Sequence, residues 1–386
     1  MDTKDSRGNI LHEEVFSSMK KLVVFLVILM PAITAFGQQT MRLDNQKDSA
    51  GNVYTYTGDV INTVPNGKGL AVYYSGDKYF GDFKNGMING NGVFLYSDNR
   101  VAIGQYVNGK IEGEIIYFSA EGHLYMGEYR NNFTGYAKEL KADNTFMAGY
   151  LVNGLHEGRS ILTDQFGNLF AGFFSGDMRN GPGLQYEPKQ KRLFEGIWKD
   201  NKWLRKEQTN LQSFIKDTSF KGFENGEKIL ASFNDGKGGL LKDTCVLYKL
   251  KTKERFFGNF KDGYMSHGFH ATGDSIRYYG GWAAKGGEGK GVYCKTGRYI
   301  ASGIFKNGIL DGDAIFINIR DNIIYEGQIS KGSFTGKATQ ILKNNTIESG
   351  LFKAGVLDGE GYKIYSTGEK VTGVFKAGKI DTESNK

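Results

Sequence analysis

The chain has 386 residues, of which 55 are glycine, 4 are proline and 13% are aromatic, and its formal net charge is +7. Glycine stands at about twice its usual ~7% while proline is scarce, which excludes a Pro/Gly-rich disordered chain and favours strands joined by tight turns. The lysine excess suits a solvated surface, or contact with an anionic lipid or polysaccharide surface, and it forms no compact basic stripe of the kind that binds nucleic acid.

Residues 19–37, MKKLVVFLVILMPAITAFG, form the first distinct segment. Two lysines precede an apolar run, and small residues stand at −3 and −1 of a cleavage point before Gln38. A transmembrane helix needs about 20 apolar residues, and this run is half as long and is broken by Pro31. We predict a signal peptide over 19–37, an over-extended N-terminus over 1–18, and an exported mature chain, periplasmic or secreted. No cysteine stands at the cleavage point, so no lipid anchor is expected.

A glycine recurs along the rest of the chain with a period of about 23 residues. The steps are 22 to 24 residues, with one interruption between Gly196 and Gly258. Such repetition indicates an array of one supersecondary unit. The thirteen positions are Gly58, Gly81, Gly104, Gly127, Gly149, Gly172, Gly196, Gly258, Gly280, Gly303, Gly327, Gly350 and Gly373.

Each unit has the same parts. A short strand such as YFGDF (79–83) comes first, an Asn-Gly or Asp-Gly turn such as that at 85–86 follows, and a second strand opens with Gly-x-Gly, as at 90–92. Asn-Gly and Asp-Gly between apolar segments are the strongest short hairpin signal. We predict an all-β fold with one β-hairpin per unit, stacked into a single extended, twisted sheet.

The alternation of glycine with aromatic residues is interpreted as a packing device. In YFGDF the side chains alternate between faces, so Tyr79, Gly81 and Phe83 share one side of the strand. The glycine leaves a hole that an aromatic ring covers. Burial of the ring more than offsets the roughly 0.5–1 kcal/mol that glycine costs in a strand.

The repeat resembles that of the MORN (membrane occupation and recognition nexus) family, whose consensus runs roughly Y-x-G-x-W/Y/F-x-x-G-x-x-x-G-x-G. YFGDFKNGMINGNG (79–92) matches at every glycine, and YYGGWAAKGGEGKG (278–291) does so with a one-residue slip in its turn. The resemblance spans about residues 54 to 380. It implies an elongated β-hairpin solenoid with a shallow groove, in proteins that act mostly as scaffolds, dimerisation elements or membrane-adjacent adaptors.

The repeat breaks down in the middle of the chain. The stretch 205–220 fits no unit, and 219–226 and 230–236 resemble decayed first strands that cannot both be in register. We therefore predict a first array over 51–204, degenerate repeats or an insertion over 205–256, and a second array over 257–380. At the strand spacing of a sheet, the whole solenoid would be roughly 130 Å long.

Enzymatic and metal chemistry find little support in the sequence. Gly-x-Gly opens strands here, whereas a dinucleotide or phosphate loop needs a following helix, and GSFTGKA (332–338) falls one residue short of a P-loop. His267 and His270 have metal-like spacing, but His267 occupies the slot that His156 fills in another unit. We expect no catalytic activity, no cofactor and no metal site.

The two cysteines are expected to be free thiols. Cys245 and Cys294 lie two units apart, about 20 Å at the strand spacing of a sheet, whereas a disulfide requires Cα atoms within ~7 Å. Both are interpreted as small residues within strands.

The position after the repeat glycine changes character along the chain. It carries carboxylates early, at Asp59, Asp82 and Glu128, on the face opposite the aromatic residues, which we interpret as a solvated face. Later it carries Ile304, Leu351 and Val374. We expect these three to form apolar patches on an outer face that a second subunit or another chain covers, so that threonine at all three would abolish self-association.

The preferred function is a non-catalytic, exported repeat scaffold that mediates protein–protein interaction or self-association at the cell envelope. The alternative is a carbohydrate- or lipid-surface-binding module that uses exposed aromatic residues as stacking platforms. The candidate platforms are Trp198, Trp203 and Trp282.

Overall fold

A computed structural model describes residues 39–382, except 131, 188–189, 191, 207–222, 225–227, 234–243, 250–253, 262–263, 274–275 and 284. The predicted segments 1–18 and 19–37 lie outside the described residues, as does much of 205–256. The described residues form thirty β-strands and no helix, arranged as two antiparallel sheets of fifteen strands each.

In both sheets the strands follow one another in chain order. The first sheet comprises β1 (Gln39–Lys47), β2 (Val53–Ile61), β3 (Val64–Tyr73), β4 (Lys78–Lys84), β5 (Met87–Leu95), β6 (Val101–Val107), β7 (Lys110–Phe118), β8 (Leu124–Tyr129), β9 (Gly135–Leu140), β10 (Phe146–Val152), β11 (Leu155–Thr163), β12 (Leu169–Ser175), β13 (Met178–Glu187), β14 (Arg192–Lys199) and β15 (Lys202–Arg205).

The second sheet begins within the degenerate segment and continues to the C-terminal region. Its strands are β16 (Phe223–Glu224), β17 (Lys228–Phe233), β18 (Thr244–Lys249), β19 (Glu254–Lys261), β20 (Tyr264–Thr272), β21 (Ile276–Ala283), β22 (Gly286–Lys295), β23 (Tyr299–Lys306), β24 (Ile309–Asn318), β25 (Ile323–Ser330), β26 (Ser333–Ile341), β27 (Ile347–Lys353), β28 (Val356–Ile364), β29 (Lys370–Lys376) and β30 (Lys379–Ile380).

The hairpin of β4 and β5 shows how a unit is built. Asn85 and Gly86 form its two-residue turn with φ angles of 51° and 82°, the left-handed conformation that Asn-Gly adopts in a type I′ turn. Gly81 pairs with Gly92 and Phe83 pairs with Ile88, so a bulge between Gly81 and Phe83 shifts the register by two residues. The same shift follows the repeat glycine in most hairpins, so the glycine marks the bend of each unit.

The aromatic residue of the unit covers a glycine pair, as the sequence predicts. A Cβ atom on Gly291 would lie 2.6 Å from the hydroxyl of Tyr278, and one on Gly92 would fall inside the ring of Tyr79. The tyrosine hydroxyl donates to the carbonyl oxygen three residues later, at 2.6 Å from Tyr125 to Glu128. The same bond forms at Tyr56, Tyr79, Tyr278 and Tyr325. Because the hydroxyl is hydrogen-bonded and the ring packs over the glycine pair, the tyrosine-bearing face of each sheet is a buried core.

The opposite face of each sheet packs against the other sheet. The largest apolar cluster combines residues of both sheets, among them Phe80 and Val93 from the first. Phe146 of β10 stacks on Phe257 of β19 with ring centroids 4.9 Å apart and planes 9° from parallel. The predicted solvated face is therefore wrong, because apolar side chains on both faces of the strands let two arrays bury each other.

The two sheets run in opposite order. Thr40 of β1 accepts a hydrogen bond from Lys370 of β29 at 3.0 Å, Lys68 of β3 pairs with Glu326 of β25, and Lys138 of β9 donates to the Tyr279 hydroxyl of β21 at 3.2 Å. The first strand thus lies beside the end of the second array.

The all-β hairpin repeat in two arrays is confirmed, but the arrays do not continue as one extended rod. The second array doubles back over the first, so each sheet spans roughly half of the predicted length at the strand spacing of a sheet. Burial of a second apolar face is the physical reason, since an extended array would leave that face in water.

Candidate interaction surface

Trp198 is not a stacking platform. It is 2% exposed, and its ring packs edge-on against Phe170 at 5.2 Å. Trp198 occupies the position of Phe83 in the unit of β4, so the repeat uses it for the internal core. The interpretation of this residue as an exposed aromatic is wrong.

The other two tryptophans differ from one another. Trp203, in the edge strand β15, is 45% exposed and touches Phe194 edge-on at 5.6 Å. Trp282 is half-buried and lies edge-on to His270 at 4.7 Å. The structure therefore presents Trp203 to solvent but brings none of the three tryptophans into an exposed row.

The position after the repeat glycine lies beside the second strand of its own hairpin. A Cβ atom on Gly312 would lie 2.8 Å from Cβ of Ile304, and one on Gly359 would lie 3.0 Å from Cβ of Leu351. Ile304 and Val374 are half-buried, while Leu351 is 39% exposed. These three side chains therefore pack mainly against their own hairpins, and Leu351 has the largest exposed fraction of the three.

The early carboxylates at this position are held by the backbone. Asp82 accepts a hydrogen bond from the Asn91 amide at 2.9 Å and is half-buried. Burial raises the pKa of the Asp82 carboxyl, although Lys68 acts against this rise. These carboxylates close the bend of the hairpin, which is a structural use of the position.

The candidate metal and thiol residues are placed within strands. His270 stacks on Phe256 with centroids 4.3 Å apart, and His267 lies edge-on to Tyr279 at 5.0 Å. Within the described parts of the chain, no group of three or more His, Cys, Asp or Glu residues could hold a metal ion. Cys294 is a buried free thiol, as predicted, and Cys245 lies four strands away on β18 of the same sheet.

A buried polar cluster lies on the tyrosine-bearing face of the first sheet, and the repeat pattern does not predict it. His156 is fully buried, with Nε2 3.2 Å from a Glu139 oxygen and Nδ1 3.2 Å from the Ser160 hydroxyl. His123 Nε2 lies 3.6 Å from the other carboxylate oxygen. Burial raises the pKa of Glu139, but the hydrogen bond from His156 and the nearby His123 outweigh it and leave that pKa below its ordinary value.

This cluster is closed to substrates. Its order of serine, histidine and carboxylate matches a nucleophile with its base, but Ser160 is 4% exposed and faces the backbone of Gly149. The sequence did contain a signal, because in this unit Met147 replaces the tyrosine and Ser160 replaces the second glycine. The cluster fills the space that a tyrosine ring fills elsewhere.

Exposed apolar side chains collect at the hairpin turns of the first sheet. Six of its seven hairpins have two-residue turns, and in each the residues flanking the turn are a cross-strand pair, such as Lys84 with Met87. We call the twelve flanking residues the tip face. They are Ile61, Val64, Lys84, Met87, Val107, Lys110, Val152, Leu155, Ser175, Met178, Lys199 and Lys202.

All seven apolar members of the tip face are 39–47% exposed. The next pair inward points to the opposite side and is buried, as Phe83 and Ile88 show at 3% and 6%. The repeat glycine does not reveal this surface, because it marks the bend of each hairpin and not the residues beside the turn. The signal was the alternation itself, in which the residue beside each turn lies opposite the buried core.

Hydrogen bonds join neighbouring turns within the two parts of the tip face, which the longer turn between β8 and β9 separates. The amide of Gly86 donates to the Pro65 carbonyl at 2.9 Å, and Gly109 donates to Ile88 at 2.8 Å. Equivalent bonds join later turns of the same sheet, at Gly154, Asp177 and Asn201. The tips therefore form a row about 60 Å long at the strand spacing of a sheet.

Comparison with protein families agrees with this repeat geometry. The model of the MORN repeat matches residues 56–78, 79–99, 125–146 and 170–186. These four matches support a MORN-repeat protein. All four matches lie in the first sheet, and the hairpins of the second sheet have the same strand register.

A search of curated proteins finds no match. Among solved structures, the chain is similar to the TCP domain of Drosophila melanogaster SAS-4 in complex with a proline-rich motif of Ana2, with 12% identity, a TM-score of 0.25, and coverage of 44% of this chain and 97% of that one. It is also similar to the TCP10 domain of Danio rerio CPAP, with 8% identity, a TM-score of 0.19, and coverage of 88% and 95%. A third is BamB from Moraxella catarrhalis, at 13% identity, a TM-score of 0.14, and 82% and 94% coverage. All three TM-scores are below 0.5, so these likenesses say nothing about function.

MORN repeats are generally modules for interaction with proteins or membranes. In the part of this chain that the structure describes, no helix has the length and apolar character needed to span a bilayer. The tip face is a set of exposed apolar residues that recurs from hairpin to hairpin along the first sheet, and it is the candidate interaction surface.

Proposed function

We propose that this MORN-repeat protein is a non-catalytic exported scaffold that mediates protein–protein interaction or self-association at the cell envelope. The observation that carries the proposal is the tip face, where seven apolar side chains stay exposed along one edge of a sheet whose two faces are otherwise closed cores. Contiguous exposed apolar surface of this kind typically marks an interaction site.

Export is supported by the N-terminal sequence. The predicted cleavage point precedes Gln38, and the first strand starts at Gln39. A signal peptide that ends there would leave the complete double array as the mature protein. Mass spectrometry of the N-terminus of the protein from its native cells would test this directly.

The scaffold role is tested by cross-linking a tagged copy in native cells and identifying the linked peptides by mass spectrometry. Reproducible links between the first sheet and one other envelope protein are expected for an adaptor. Links between copies of the chain would instead support self-association. A tagged copy that forms no reproducible link of either kind would contradict the proposal.

A further inference from the structure

We infer that the tip face binds an acidic amphipathic α-helix of a partner protein. This inference rests on the proposed scaffold function and specifies its partner. It follows from three properties of the tip face, which are its charge, its spacing and the direction in which its side chains point.

The charge of the tip face is of one sign. Its twelve residues comprise seven apolar residues, four lysines and one serine, with no carboxylate. Acidic residues border the tip face. Glu157 accepts hydrogen bonds from the Ser175 hydroxyl at 3.3 Å and the Gly176 amide at 2.8 Å, and Asp177 accepts one from the His156 amide at 2.7 Å, so both carboxylates are already bonded to the hairpins, while Glu112 is exposed beside Lys110. A partner that combines apolar and acidic side chains is complementary to such a surface.

The spacing fits a helix. Tip-face residues recur once per strand, about every 4.8 Å, and once per hairpin, about every 10 Å. The apolar stripe of an amphipathic helix repeats after three and four residues, on average about 5.2 Å, and after seven residues, about 10.5 Å. An extended strand presents one face only every 6.6–6.8 Å, so its side chains would lose register with the hairpins.

The direction of the side chains favours a polypeptide over a bilayer. The outermost residues of the row are the turn residues themselves, including Asn85, Asn108 and Asn153. The apolar side chains stand one residue behind these polar turns, on the strand surface. A membrane approached end-on would meet asparagine and glycine first, whereas a helix lying across the strands, along the row of hairpins, meets Met87, Leu155 and their neighbours.

The test measures binding of a fluorescent 28-residue helical peptide, with leucine at its a and d positions and glutamate flanking them, to the full chain by anisotropy. The triple variant Met87→Glu/Leu155→Glu/Met178→Glu should weaken binding at least ten-fold, because it places carboxylates along the stripe. The matched control is Ile309→Glu, since Ile309 holds the same position beside a turn in the second sheet. The control should stay within two-fold.

A charge-reversal variant, Lys84→Glu/Lys110→Glu/Lys202→Glu, covers the case in which the triple variant fails to fold. All three lysines are exposed, so the far-UV spectrum and melting temperature should be unchanged while peptide binding and its salt dependence decrease. A peptide of the same composition without the stripe should bind at least ten-fold more weakly than the striped one.

Two results would overturn the inference. One is equal affinity of the chain and the variants for the striped peptide. The other is binding to phosphatidylserine vesicles without binding to the peptide, which would make the tip face a lipid surface. If the triple variant still forms the same cross-links in cells as the unaltered chain, the tip face is not the binding surface, although the scaffold role stands. If the unaltered chain forms none, the scaffold role itself fails.

Discussion

At the scale of single residues, Lys78 occupies an unfavourable buried position. It is 4% exposed and lies on the same face of β4 as Phe80, within the contact between the sheets. Its ammonium nitrogen has no hydrogen-bond partner among the described residues. Burial lowers the pKa of Lys78 to about 8.

Replacement Lys78→Met should stabilise the protein by about 1–3 kcal/mol at pH 7, because it removes a buried polar group without a partner and keeps the aliphatic stem. The folded-state pKa is below the unfolded value, so the unfolded chain binds more protons between about pH 8 and 10.5. Stability of the unaltered chain should therefore rise with pH over this window, and the variant should lack this rise. Urea denaturation at pH 7 and pH 9.5 measures both effects, and a variant that is less stable at both would refute this account.

The sequence predicts some residues well and others poorly. The packing of Tyr79 over Gly81 and Gly92 can be predicted, because all three residues belong to one hairpin. Trp198 is misread as exposed, since a tryptophan in a phenylalanine position looks the same in the sequence whether the site is open or filled. The cluster of Glu139 and His156 is also not apparent, because its members come from different strands and only the fold brings them together.

At the scale of the hairpin, a departure from the repeat pattern at one position is compensated at another position of the same unit. In the unit of β6 and β7, Ala102 replaces the tyrosine and Ile115 replaces the second glycine, so one side chain fills the space that the other leaves. In the unit of β27 and β28, the Tyr position is Glu348, which pairs with Lys363 at 2.6 Å, and Leu357 covers the glycines. The core of a hairpin therefore depends on the sum of its side chains more than on any one of them.

This predicts a strong coupling between two positions of one unit. Gly92→Ile alone should destabilise the protein severely, because its side chain would overlap the Tyr79 ring. The double variant Tyr79→Ala/Gly92→Ile reproduces the pair at 102 and 115 and should recover at least about 1 kcal/mol of the loss. Thermal and chemical denaturation of the single and double variants measure this coupling. Additive losses would contradict the complementarity.

The turn chemistry explains why the hairpins are the most predictable elements. Asn-Gly specifies two left-handed residues and so fixes both the turn and the register of its strands. The bulge after the repeat glycine is not visible in the sequence, since it arises from the pairing of the two strands.

At the scale of the whole molecule, two arrays bury a shared face. The sequence contained a signal for this, because Phe80 and Val93 put apolar side chains opposite the tyrosine face of the same strands. Strands that are apolar on both sides are covered on both sides. The sequence does not reveal which array covers which, since a repeat offers the same surface at every step.

Spin labels near the two ends distinguish the folded-back arrangement from a rod. Asp44 and Thr367 are both exposed, and Arg42 lies against Gly368. Cysteines at 44 and 367, in a Cys245→Ser/Cys294→Ala background, should give a mean label distance of about 15–30 Å, since packed sheets are about 10 Å apart. Pulsed electron resonance measures this distance. A rod would put the labels about 130 Å apart, beyond the range of the method, and the absence of a dipolar signal would refute the double array.

The contact between Thr40 and Lys370 spans 330 residues of sequence. Each hairpin needs only its neighbours, so the sheets can form strand by strand as the chain is synthesised. Phe146 of β10 can be covered once β19 has formed, whereas the strands next to Lys68 must wait for β25, which carries Glu326. Until then the apolar face around Phe80 is open to water and to other chains. A chain truncated before β25 should therefore leave the face around Phe80 uncovered and aggregate. The last units of the second sheet therefore protect the first units of the first sheet from aggregation.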